Sequence, residues 1–167
     1  MNASKRHLIL AAALSAATLP SAFASDTTMT PEAGRRTMSR FTEFINTASE
    51  NLAVELISPK AVFFVPGRPD PVHGPKGYLE IINMMRSGFP DIQWKVEETI
   101  VEGDRIAARF TMTGTHRGTF YGVPPSGKKI SVQALNIYHL SHGQFVEEFG
   151  QPDMLGLLTQ IGAMPAH

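Results

Sequence analysis

The chain has 167 residues, 15 basic against 15 acidic, and no cysteine. The missing thiols exclude disulfides, Cys-ligated zinc and thiol nucleophiles. The balanced charge gives no reason to invoke nucleic acid or an anionic membrane surface as a partner.

Lys5, Arg6 and His7 precede an apolar run from Leu8 to Leu19 that ends in Pro20, the layout of a secretory signal peptide. Ala22 and Ala24 flank Phe23 in an A-x-A pattern, so cleavage is expected after Ala24. The run is shorter than the roughly 20 apolar residues that span a bilayer. The expectation is a periplasmic or secreted product with no membrane association after cleavage; a retained amphipathic anchor is the alternative. Removing residues 1–24 from the 167 leaves 143, enough for one domain with its own core.

Residues 25–30 read as a disordered lead-in, residues 31–162 as the domain and 163–167 as a tail. Thr30-Pro31-Glu32 carries the signals of a helix start: a hydroxyl cap, proline in the first position and an acid in the first turn. Met38, Phe41, Ile45, Ala48 and Leu52 then recur at helical spacing, and Pro59 is expected to end the helical region. Ala61 to Val65 reads as a short strand, followed by a turn-rich stretch to Gly74. Pro75 opens a second helix bearing Tyr78, Ile81, Ile82 and Met85, which Gly88 and Pro90 stop.

From here the period changes to two. Ile92, Trp94 and Val96 alternate with polar residues, as do Ile106, Ala108, Phe110 and Met112 after the Glu102-Gly103-Asp104 turn. A glycine- and proline-rich loop leads to a long strand, 130–140, which the His142-Gly143 turn returns as 144–150. Met154 to Ile161 reads as a closing helix. Helices followed by a run of antiparallel strands predict an α+β fold, with the helices on one face of a strongly bent sheet that can leave a pocket at its open end.

Several stretches in order carry a resemblance: Phe89-Pro90-Asp91, Gly103-Asp104-Arg105, Gly114-Thr115-His116-Arg117-Gly118, Gly122-Val123-Pro124-Pro125-Ser126-Gly127, Glu147-x-Phe149-x-x-x-Asp153 and Leu157-Leu158-x-Gln160-Ile161-Gly162. With His73-Gly74-Pro75 and Gly77, they make the chain resemble the SnoaL-like polyketide cyclases, also called ester cyclases, of the nuclear transport factor 2-like superfamily. The resemblance implies a cone-shaped, strongly bent antiparallel sheet wrapped around N-terminal helices, as in a cystatin-like α+β barrel, and a homodimer or higher homo-oligomer. For the cyclases it implies an intramolecular aldol ring closure on a polyketide methyl ester with no metal or organic cofactor. Two departures stand out: the family's usual Glu-His-Trp reads Glu147-Glu148-Phe149, and its Pro-Thr-Gly reads Pro125-Ser126-Gly127.

By that resemblance Asp153 matches the family's catalytic acid. Aldol chemistry needs a base to remove a proton beside a carbonyl and an acid to protonate the alkoxide, and a desolvated carboxyl can serve both steps. The competing reading makes Asp153 only the N-cap of the last helix. His116 continues the parity of the apolar face and could polarise a carbonyl at a pocket mouth, or instead brace its loop. His139, if it stands opposite Val146, lies diagonal to Glu148 and could form an acid–base pair with it; an exposed pair is the alternative. Trp94, Phe110, Met112, Asn136, Tyr138 and Phe149 are candidate pocket-lining residues, although core packing accounts for the apolar ones equally and the parity of strand 130–140 leaves its inward face open. The histidines lack tight ligand spacing, so no metal is expected.

The expected function is acid–base chemistry on a small apolar carbonyl or polyketide-like compound: aldol cyclisation, isomerisation or a related lyase reaction. The alternative is a periplasmic protein that binds a small molecule in the same pocket without chemistry.

Overall fold

The computed structural model describes residues 29–164. The expected signal peptide, its cleavage site, residues 25–28 of the lead-in and the last three residues of the tail lie outside the described residues. Helix α1, Pro31–Thr47, begins as expected, with the Thr30 hydroxyl accepting from the Ala33 N–H at 3.2 Å. It buries Met38, Phe41, Phe44 and Ile45 on one stripe.

The helical region, expected to run on to Pro59, is broken at Ala48 and Ser49. Ala48 takes a left-handed conformation, φ 53°, and Ser49 caps a second short helix, α2, Glu50–Leu56. Strand β1, Ile57–Phe64, follows at once, so Pro59 lies inside a strand rather than ending a helix. The ladder accommodates it: pairing with the neighbouring strand is irregular between Ile57 and Val62, where a residue without an N–H costs little. The two-residue β2, Val72–His73, precedes α3, Gly74–Gly88. Then come β3, Gln93–Glu102; β4, Arg105–Thr115; β5, Lys129–Ser141; β6, Gln144–Pro152; and α4, Met154–Ile161.

The six strands form one curved, unclosed sheet in the order β2-β1-β6-β5-β4-β3. Every neighbouring pair is antiparallel except β1 and β6, which run parallel. The expected bent, largely antiparallel sheet is present, with one parallel pair where the last strand returns beside the first. Helix α1 packs over β3, and α3 over β1, closing the concave face.

Strand β5 settles the question its sequence left open. Ile130, Val132, Ala134, Tyr138 and Leu140 are buried against the helices, while Leu135 and Ile137 face outward and are exposed. Phe41 of α1 meets Tyr78 and Tyr138 edge-on, at ring-centroid separations of 5.4 and 5.2 Å. Large buried rings of this kind contribute roughly 1.5–3 kcal/mol each through apolar burial, and here they also fix two phenols beside the cavity.

Candidate active site

A cavity of about 110 Å³ opens between α3 and the concave face of the sheet. It has room for several waters or one small organic molecule. Tyr78 and Met85 of α3, Trp94 of β3, Phe110 and Met112 of β4, and Asn136 and Tyr138 of β5 border it. Trp94 is pinned from behind, because the Asn46 carboxamide accepts from its backbone N–H and donates to its carbonyl, both at 2.8 Å. Arg86 holds the end of α1 by donating to the carbonyls of Ile45 and Asn46.

The acid in this cavity is Glu148. Strand β6 carries it on the inner face directly opposite Tyr138, and it is 6% exposed. Asn136 Nδ2 donates to its Oε1 at 2.6 Å and also reaches the Tyr138 hydroxyl at 3.1 Å. Burial pushes the Glu148 carboxyl up from the usual range to about 7; the Tyr78 phenol, the Asn136 amide and the Tyr138 phenol pull the other way and only partly offset it. The same burial, with the nearby Glu148 charge, raises both phenols well above their ordinary range, so they remain neutral donors.

Such a carboxyl exchanges its proton near neutral pH, the condition under which a general acid–base group works best. Glu148 Oε2 has no hydrogen-bond partner among the described residues. Gly150, two residues further along the same face, leaves the space beside it open: a Cβ built there would stand 3.3 Å from Oε1.

The other expected site residues divide. Trp94, Phe110, Met112, Asn136 and Tyr138 line the cavity as expected. Phe149 does not: it points to the convex face and stacks on Phe64, with ring centroids 4.5 Å apart. Adjacent residues of a strand face opposite ways, so an inward Glu148 requires an outward Phe149.

Asp153 is exposed and does not border the cavity. Its Oδ1 accepts from the Gly156 N–H at 2.7 Å, which makes it the cap of α4. The desolvated carboxyl expected near the end of the chain is thus found five residues earlier.

His116 is buried as its parity required, but beneath its own loop and not at the cavity. Its Nδ1 accepts from the Ser126 N–H at 3.2 Å and lies 3.0 Å from the Ser126 hydroxyl, while its ring packs on Phe89. This is the bracing role.

The expected His139–Glu148 pair does not form. A bulge between His139 and Leu140 shifts the register by one, so that His139 stands opposite Glu147. A one-residue shift exchanges the faces, and the imidazole bonds Asp104 Oδ2 at 2.7 Å on the outer side.

Tyr78 and Gly150 are among the cavity residues that escaped the sequence reading. Tyr78 was legible only as part of an apolar helical stripe, though a phenol there signals a hydroxyl that needs a partner. Gly150 shares the inward parity of Glu148, and its lack of a side chain was the available clue. Among the described residues, no group of three or more His, Asp or Glu is arranged to hold a metal ion.

Residues 35–161 match the family of SnoaL-like polyketide cyclases. The nogalonic acid methyl ester cyclase of Streptomyces nogalater is 26% identical over 91 residues, covering 53% of this chain and 67% of that protein. The aklanonic acid methyl ester cyclase AcmA of Streptomyces galilaeus is 24% identical over 127 residues, 74% of this chain and 86% of its own. Among solved structures, TsrD of Streptomyces laurentii superimposes with a TM-score of 0.72 at 26% identity, covering 81% of this chain and 98% of its own. IdmH of Streptomyces antibioticus does so with a TM-score of 0.70 at 30% identity, covering 77% and 98%. A family match over most of the chain, together with solved structures that superimpose at TM-scores of 0.72 and 0.70, makes this protein a member of the SnoaL-like polyketide cyclase family.

Proposed function

We propose that the chain is an acid–base enzyme of cyclase or isomerase type, with Glu148 as the group that moves the proton. Its substrate is a small apolar or polyketide-like carbonyl compound, in keeping with the methyl ester cyclases it resembles. The observation that carries this reading is a carboxyl with one free oxygen in an apolar cavity, poised to ionise at about 7. As carboxylate it removes a proton from the carbon beside the carbonyl, and the neutral phenols of Tyr78 and Tyr138 favour negative charge developing nearby. As carboxylic acid it returns the proton to the new alkoxide or to another carbon.

The test is exchange of the α-hydrogens of 2-tetralone, a compact enolisable ketone, in deuterated buffer followed by NMR. Wild type is expected to accelerate exchange, and Glu148→Gln to lose about 100-fold or more of that acceleration. Equal rates in the two proteins would overturn the proposal and leave a protein that binds in the same cavity without chemistry.

The proposal includes export and self-association. Export is supported by the basic, apolar and small-residue segments of residues 5–24. Pairing with a second copy is supported by the convex face, where Phe64, Phe149, Ile137 and Ile100 are exposed on four strands.

A further inference from the structure

Two acceptors in the cavity have no donor. Glu148 Oε2 and Asn136 Oδ1 are both shielded from solvent, and neither finds a hydrogen-bond partner among the described residues. The orientation of the amide follows from its other contacts. Its nitrogen serves Glu148 Oε1 at 2.6 Å and the Tyr138 hydroxyl at 3.1 Å, which leaves the oxygen as the unpaired end. A buried acceptor without a donor costs roughly 1–3 kcal/mol, and here two such costs fall on one hydrogen-bonded pair of residues.

Gly150 governs access to that wall. A Cβ built on it would lie 3.3 Å from Glu148 Oε1 and 3.5 Å from both terminal atoms of the Asn136 amide. Any larger residue would occupy the space in front of the pair; glycine leaves it empty. Trp94, Phe110 and Met112 make much of the surrounding wall apolar, and its other side-chain donors include the Trp94 indole N–H and the Tyr78 and Tyr138 phenols. A molecule that fits the site therefore brings a hydroxyl, whose one hydrogen is shared between the two oxygens or taken by one of them, and an otherwise apolar body.

We propose that Glu148 Oε2 and Asn136 Oδ1, reached past Gly150, form a two-acceptor clamp that selects ligands bearing a hydroxyl, an alcohol or an enol, over the corresponding ketone. This deepens the proposed function: proton removal beside a carbonyl leaves an enolate and a protonated Glu148, and return of that proton to the enolate oxygen gives the enol and restores the carboxylate as acceptor. Asn136 then sets specificity by recognising the O–H, while Glu148 handles the proton.

Calorimetric titration with 2-tetralol and 2-tetralone at pH 9 tests the clamp, since Glu148 is then an acceptor only and both phenols stay protonated. Wild type is expected to bind the alcohol about tenfold more tightly than the ketone. Asn136→Leu should bring the two within about twofold, and Gly150→Ala should weaken the alcohol more than the ketone. Circular dichroism checks that each variant is folded, and if Asn136→Leu is not, Gly150→Ala decides. Equal affinities in wild type, or a preference unchanged in a folded variant, would overturn the clamp. Because the readout is equilibrium binding, that result leaves the Glu148 exchange experiment to stand or fall by itself.

Discussion

Asn136 Nδ2 and Glu148 Oε1 lie 2.6 Å apart across the β5–β6 ladder, and this short bond is one of the few compensations the buried carboxylate receives. The compensation is incomplete, which gives the site a cost that depends on pH. The carboxyl titrates near its usual 4.5 when unfolded and at about 7 when folded. Between those values the unfolded chain has released a proton that the folded chain still holds, so stability falls as pH rises through this window. The loss amounts to roughly 3 kcal/mol and is complete above the folded value. Urea midpoints of wild type at pH 4.5 and pH 8.5 should show the decline, and Glu148→Gln should remove most of it. A wild-type stability that is flat across the range would contradict the assigned burial.

Asp153 contributes to structure through a single 2.7 Å bond to the Gly156 N–H at the start of α4. Replacing it with alanine removes that cap and should lower stability by about 1 kcal/mol. The rate of 2-tetralone exchange should remain within about twofold of wild type, because the side chain is exposed and outside the cavity. Loss of exchange in a stable Asp153→Ala protein would return the catalytic role to this residue.

On the convex face Ile137 pairs with Phe149, which in turn stacks on Phe64, so three strands present one apolar row to solvent. A two-fold dimer buries such a row against itself. Light scattering behind a sizing column should report a dimer for wild type at micromolar concentration. The double variant Ile137→Lys, Phe149→Glu should run as a monomer with the cavity intact; a wild-type monomer, or a variant that still pairs, would remove this face from consideration.

Much of the fold was legible because the periodicity of one-sided burial is strong. The Met38–Phe41–Ile45 stripe, the alternation in β3 and β4, and the bounds of α4 follow from it directly. Strand β5 resisted because both of its faces carry apolar residues, Val132 and Ala134 within and Leu135 and Ile137 without. The site was only half legible for a related reason. A bulge at His139 leaves no mark in composition, yet it decides that Tyr138 and not His139 faces the acid. That Glu148 borders the cavity while Asp153 caps the closing helix is a matter of three-dimensional accounting, since sequence does not say which carboxyl the helix uses for its own backbone.

The parallel pairing of β1 with β6 also bears on how the molecule is made. Phe64 finds its partner Phe149 roughly 85 residues further along the chain, and the strand bearing Glu148 is the last to be synthesised although it lies in the interior of the sheet order. Loops of that length must close before the contacts that reward them form, so folding is expected to be slow and concerted, with little native order until the C-terminal strand is available. The hollow and its acid then arise together in the final step of assembly, and a chain shortened before residue 144 would lack native order as well as a ligand site.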